Sequence, residues 1–227
     1  MALSIFEVAG PVMIGPSSSH TAGAVRLGRM SALLCEGEIT RAEFHLYGSF
    51  AKTYRGHGTD LALVAGVLGM PEDDERLSRS FEIARERGVG FAFIPEERKP
   101  EHDNFVTIRF TLAGGDERTV SGVSLGGGRI LITELDGFSM ELGCEKPTAV
   151  IVHRDERGML GHLTGVFGFL GLNIGVMRST RNERGAVAVS VIECDERIPG
   201  YVKDTLMEIG GVVSVTIINP EEAESVI

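Results

Sequence analysis

Apolar and polar positions alternate strictly over Phe105-Val106-Thr107-Ile108-Arg109-Phe110-Thr111-Leu112, a two-residue period that predicts a half-buried strand. Gly114-Gly115-Asp116 follows as a hairpin turn signal, Glu117 to Val123 reads as the returning strand, and Arg129 to Leu135 as a further one. Upstream, Arg41 to Tyr47 alternates in the same way. Between these strands the pattern changes. A segment from about Ala22 to Glu36, rich in Ala, Leu, Met and Arg, predicts a helix, Leu61 to Leu68 a buried helix with Thr59 or Asp60 near its start, and Ser78 to Arg87 a more polar one. Helices interleaved with strands and hairpins predict a mixed α/β domain over residues 1–143, with Gly143 to Pro147 as linker.

Residues 147–227 follow a second pattern. Ala149 to His153 is a short β-branched run and Met159 to Leu170 an amphipathic helix after Gly158. Asn173 to Thr180 and Ala186 to Cys194 are strands about the turn Asn182-Glu183-Arg184-Gly185. Pro199 to Ile209 is a helix opened by proline, and Val212 to Ile218 a final strand. The order βαββαβ is that of a ferredoxin-like domain. The chain is therefore read as an α+β protein of two domains, with an acidic tail from Pro220 to Ile227 as a loose terminus.

Composition narrows the partners. A length of 227 residues with 43% hydrophobic content supports a sizeable core, and a net charge of −10 with no basic patch argues against nucleic acid. The N-terminus lacks the charged and apolar regions of a signal peptide, and no apolar run approaches the ~20 residues that span a bilayer. A cytoplasmic, membrane-free protein is expected. Cys35, Cys144 and Cys194 are far apart and odd in number, which fits reduced thiols better than a disulfide framework.

Candidate chemistry concentrates in Gly15-Pro16-Ser17-Ser18-Ser19-His20-Thr21-Ala22-Gly23. Hydroxyls and an imidazole stand between a breaker pair and a helix start, where backbone amides and the helix dipole favour an anion such as a carboxylate. Hydroxyls at a helix start also serve as N-caps, but His20 adds a group that titrates near neutral pH. A Ser-His hydrolase is the rival reading. It lacks the Gly-x-Ser-x-Gly elbow, and Ser19 and His20 are adjacent, so their side chains point apart on most backbones. His20 and His57 alone are too few ligands for a metal site.

The serine run resembles a signature of the iron–sulfur-dependent L-serine dehydratases. So do Gly48-Ser49-Phe50-Ala51-Lys52-Thr53-Tyr54-Arg55-Gly56-His57-Gly58-Thr59-Asp60 and the Gly-rich Ser124-Leu125-Gly126-Gly127-Gly128. At His102-Asp103-Asn104 the family more often has His-Pro-Asn. The C-terminal domain resembles an ACT domain through Gly158-Met159-Leu160-Gly161-His162-Leu163 and Gly171-Leu172-Asn173-Ile174. Together these resemblances cover nearly the whole chain and point to the β subunit of the two-subunit enzyme, an ammonia-lyase that converts L-serine to pyruvate and ammonia.

The resemblance implies His20 and His57 for proton transfer. Ser17, Ser18, Ser19, Thr21, Gly58, Thr59 and Asp60 would hold the substrate, Asp60 orienting His57, stabilising the substrate ammonium, or capping a helix. His45, His102, His153 and His162 receive no role. Leu160, Gly161, Asn173 and Ile174 form a possible allosteric site for a small amino acid, the same glycines serving equally as turn and cap in a domain that binds nothing, and homodimerisation through the ACT domain is expected. A [4Fe–4S] cluster takes three or four thiolates, commonly closely spaced, so its ligands are expected on a partner alpha chain, with no metal held by this one. Pyridoxal phosphate is disfavoured, since of the four lysines only Lys52 lies in a motif and nothing around it marks a Schiff base. The alternative is a cytoplasmic ACT-type amino-acid sensor without catalysis.

Overall fold

The structure, a computed structural model, describes residues 13–15 and 17–220. Pro16 of the serine run and residues 221–227 of the acidic tail lie outside the described residues. The chain divides into two compact units between Asp136 and Gly137, ahead of the 143–147 segment read as a linker.

The first unit opens with one π turn over Ser18–Ala22, closed by the Gly23 amide donating to the Ser18 carbonyl, and continues as helix α1, Gly23–Cys35. The helical run therefore starts four residues before its expected position near Ala22, because the Ser17 hydroxyl accepts the His20 amide and caps a turn that composition alone does not mark. Strand β1 (Ile39–Leu46) leads to helix α2 (Gly48–Thr53) and helix α3 (Thr59–Val67). A 3-10 turn (Glu75–Arg79), helix α4 (Ser80–Glu86) and strand β2 (Gly90–Pro95) follow. Three long strands come next, β3 (Phe105–Leu112), β4 (Glu117–Gly126) and β5 (Arg129–Leu135), and within this unit the strands neighbour one another in the order β2-β1-β3-β4-β5.

Strand β2 is absent from the reading of the hydrophobic pattern. Gly90-Phe91-Ala92-Phe93-Ile94-Pro95 is a continuous apolar run with no two-residue period, and only its parallel pairing with β1 makes it a strand. Its rings stack into the unit, Phe93 on Phe44 at 5.0 Å and Phe91 on Phe81 at 4.7 Å between centroids. Helix α1 lies on β3, β4 and β5, whose Ile108, Val120 and Ile132 are fully or almost fully buried. It also crosses α3 at a point where both helices present glycine. A Cβ on Gly28 would overlap the Leu63 carbonyl, and one on Gly66 the Val25 carbonyl.

In the second unit, β6 (Phe138–Leu142) precedes β7 (Thr148–Arg154), α5 (Met159–Phe169), β8 (Ile174–Arg181), β9 (Val187–Cys194), α6 (Tyr201–Met207) and β10 (Val212–Ile218). Strands β7 to β10 form one antiparallel sheet in the order β10-β7-β9-β8, the ferredoxin-like arrangement expected from the pattern. Its core is closed by Ile151, Leu163, Phe167, Ile192, Val202, Leu206 and Val215. Among the described residues no helix is long and apolar enough to cross a membrane.

Candidate active site

The π turn puts the serine run at the mouth of α1. Ser17 is the cap, Ser18, Ser19 and His20 are half-buried, and Thr21 is buried with its hydroxyl donating to the His57 carbonyl at 3.5 Å. Helix α1 sits close to the Gly-rich end of β4, where a Cβ on Gly23 would overlap Ser124 Oγ, and the Ser19 hydroxyl lies 3.4 Å from the place of a Cβ on Gly126. Three motifs distant in sequence thus meet at the mouth of α1.

The His20 ring lies between two hydroxyls. Nε2 is 3.0 Å from Ser49 Oγ and Nδ1 is 3.5 Å from Ser17 Oγ, whose oxygen also accepts the His20 amide at 3.2 Å. Phe50 meets the ring edge-on at 5.3 Å, and the His57 ring lies 4.8 Å away, tilted by 35°. Burial pushes the His20 pKa below the usual imidazole value, and the neighbouring His57 lowers it further. Both neutral tautomers have partners: Ser17 donates to Nδ1 while Nε2–H donates to Ser49, or Ser49 donates to Nε2 while Nδ1–H donates to Ser17. The ring can therefore take up a proton at one nitrogen and give one up at the other, and it is neutral at pH 7.

His57 is exposed at the end of the segment following α2, its amide donating to the Thr53 carbonyl at 3.0 Å. Gly58 caps α3 at φ 67°, and Thr59 is fully buried at the first position of that helix, its hydroxyl without a hydrogen-bond partner among the described residues. Asp60 accepts the Leu61 amide at 2.9 Å, so it neither holds the His57 ring nor occupies the cap position, among the described residues. Burial raises its carboxyl pKa, opposed by backbone amides and by Arg55.

Ser49 is the hydroxyl beside His20 to which sequence reasoning gave no role. It stands in the string Gly48-Ser49-Phe50, but only the fold carries it 29 residues back to the His20 ring. The turn at His102-Asp103-Asn104 supports it, since the Asp103 carbonyl accepts the Ser49 amide at 2.6 Å and the Asn104 carbonyl accepts the Ser124 amide at 3.0 Å.

The four residues of the possible allosteric site do not converge within one chain. Leu160 and Gly161 open α5, whereas Asn173 and Ile174 follow its other end, about 16 Å along an 11-residue helix. Asn173 is itself engaged, its side-chain amide donating to Asp195 at 2.6 Å and its backbone amide to Glu196 at 2.7 Å.

Donor chemistry for a metal cluster is poor. Burial pushes the Cys35 thiol up to about 12 and the Cys194 thiol up to about 11, so neither favours the thiolate a metal needs. Among the described residues no three His, Cys, Asp or Glu side chains gather as a metal set.

Residues 4–78 match the family described as Serine dehydratase beta chain. The chain is 40% identical over 213 residues to the Probable L-serine dehydratase, beta chain, of Bacillus subtilis, covering 94% of this chain and 96% of that one. It is 35% identical over 205 residues to the L-serine dehydratase, beta chain, of Peptoniphilus asaccharolyticus, covering 90% and 92%. The ACT domain from GTP pyrophosphokinase of Chlorobium tepidum aligns in structure with 31% of this chain and 94% of its own at 22% identity, with a TM-score of 0.28.

Proposed function

Since this chain belongs to the L-serine dehydratase beta-chain family, we propose that it works with a separate alpha chain as an L-serine ammonia-lyase, converting L-serine to pyruvate and ammonia. One observation carries the site: the His20 imidazole, kept neutral by burial, bridges Ser17 and Ser49 beside His57. Dehydration removes a proton from the α-carbon and hydroxide from the β-carbon, so the site must accept one proton and deliver another. In this reading His20 and His57 do so, with Ser49 as the hydroxyl through which His20 reaches the substrate. The hydroxyls of Ser17, Ser18, Ser19 and Thr21 and the first-turn amides receive the substrate carboxylate. Asp60, near Arg55 and half-buried, is the candidate for the substrate ammonium. Aminoacrylate then tautomerises and hydrolyses without further help.

The [4Fe–4S] cluster implied by the family would supply a Lewis acid for the departing hydroxide. The buried Cys35 and Cys194 thiols of this chain do not fit it, which supports ligands on the alpha chain. A regulatory amino-acid site is proposed for the ACT-type unit. Because α5 separates Leu160-Gly161 from Asn173-Ile174, such a site would need one half from each of two copies, which supports homodimerisation. Cys35 and Cys194, buried and outside any disulfide among the described residues, support a reducing, cytoplasmic setting. A catalysis-free sensor leaves the His20 constellation without a use.

The test is anaerobic co-purification with an alpha chain, followed by assay of pyruvate from serine. The isolated chain should be colourless and inactive and the complex active. Stoichiometric iron or pyruvate production in the isolated chain would overturn the two-chain reading, and a complex with bound iron that ignores serine would overturn the substrate.

A further inference from the structure

Two segments that border the serine run share a single anchor. Glu72 lies on the loop after α3, only 7% exposed, and its carboxylate faces two guanidinium groups. Arg26 of α1 donates its Nε–H to Oε1 at 2.7 Å and brings a second nitrogen to the same oxygen, while Arg29 lies 4.0 Å from Oε2. The remaining branch of the Arg26 fork donates from Nη1 to the Gly128 carbonyl at 3.2 Å. The Glu72 carbonyl also accepts the Ile14 amide at 3.0 Å, holding the segment that leads into Ser17.

Gly128 ends the triple-glycine loop. Gly126, Gly127 and Gly128 have φ of 92°, 63° and 79°, a left-handed run with no side chain to pack and a large entropy to lose on ordering. At one end this loop approaches the Ser19 hydroxyl, and at the other it is held by Arg26. A buried ion pair adds little net stability against an apolar replacement, because desolvation offsets attraction. What the Arg26–Glu72 pair supplies is geometry: a planar fork, fixed at one edge by a buried carboxylate, presents its other edge to one carbonyl.

We propose that Arg26 and Glu72 are positioning residues of the serine site, pinning the Gly126–Gly128 loop through the Gly128 carbonyl and so setting its distance from Ser19. The proposal rests on the reading of the serine run as the substrate site.

Arg26→Lys separates positioning from folding. A lysine retains the ion pair with Glu72 but offers a point charge in place of the two-edged fork, so the fold should persist while the loop is released. In the assembled enzyme, Arg26→Lys should keep its unfolding temperature within a few degrees of the parent and raise KM for serine about tenfold, with kcat changed less than about threefold. That KM change corresponds to the loss of one charge-assisted hydrogen bond. Amide hydrogen exchange in the peptide spanning residues 124–130 should accelerate. Adding Glu72→Gln should raise KM little further, as expected of two residues that act as one unit. An Arg26→Lys enzyme with parental KM and parental exchange in this peptide overturns the proposal, as does one that loses stability and turnover together with KM unchanged. If the parental complex does not act on serine, the substrate reading falls instead, and the exchange measurement still decides whether the pair holds the loop.

Discussion

His20 owes its character to its surroundings more than to its place in the chain. Burial and the adjacent His57 hold its pKa below 6.5, so the neutral ring dominates at pH 7 and can accept a proton. His20→Ala should lower turnover of the assembled enzyme by on the order of 10²-fold, as for other lost proton-transfer groups, and Ser49→Ala should lower it as well. A steady-state assay of serine turnover at saturating serine checks both, and full activity in either variant removes that residue from the proposed proton transfer. His57→Gln removes the like charge while leaving the burial, so the His20 pKa should rise towards 6.5, read from its ring proton shifts in an NMR titration. The same depression bears on stability. An imidazole that binds its proton less readily when folded than when unfolded makes the native state lose stability as pH falls below 6.5 towards the folded value. The parent protein should therefore lose more stability between pH 7.5 and pH 5.5 than His20→Asn, measured by urea unfolding at the two pH values.

Helices α1 and α3 cross closely because Gly28 and Gly66 leave each backbone room to meet the other. This crossing aligns the serine run at the mouth of α1 with Thr59 and Asp60 at the start of α3. Gly28→Ala drives a methyl group into the Leu63 carbonyl and should destabilise the fold by about 1–3 kcal/mol, the usual scale of overpacking, read as a lower urea midpoint with an unchanged slope. Strands β3, β4 and β5 were legible because their faces differ and the two-residue period survives. Strand β2 and strand β6 were not, since one is apolar throughout and the other is only five residues long. The π turn was equally hidden, because it depends on the Ser17 hydroxyl choosing the His20 amide.

The two units divide the chain at Gly137, and the second closes its own core with Leu163, Phe167, Ile192, Val202 and Val215. A fragment from Gly137 to Ile227 should unfold cooperatively by itself. It should be more stable than one from Pro147 by roughly 1–3 kcal/mol, about the value of one buried Leu or Met side chain, because β6 packs on β8 and β9 and carries Met140 and Leu142. Glu141 also faces Arg178 at 3.1 Å, but both are exposed and the pair adds little. Comparing the urea midpoints of the two fragments tests where the unit begins, and equal midpoints would return the boundary to the 143–147 segment.

Periodicity and turn residues by themselves determined the alternating strands of the first unit, the βαββαβ order of the second, and the chemical types gathered in the serine and histidine strings, since these depend on neighbours within a few positions. Tertiary structure decided what depends on distance. It brought Ser49 to His20 and the Gly-rich end of β4 to Ser19, left Asp60 on a backbone amide instead of the His57 ring, and set Leu160 and Asn173 at opposite ends of α5. A hydrogen bond requires approach within about 3 Å in a set direction, and between residues 29 or 102 positions apart that approach is created by packing of the helices and sheet.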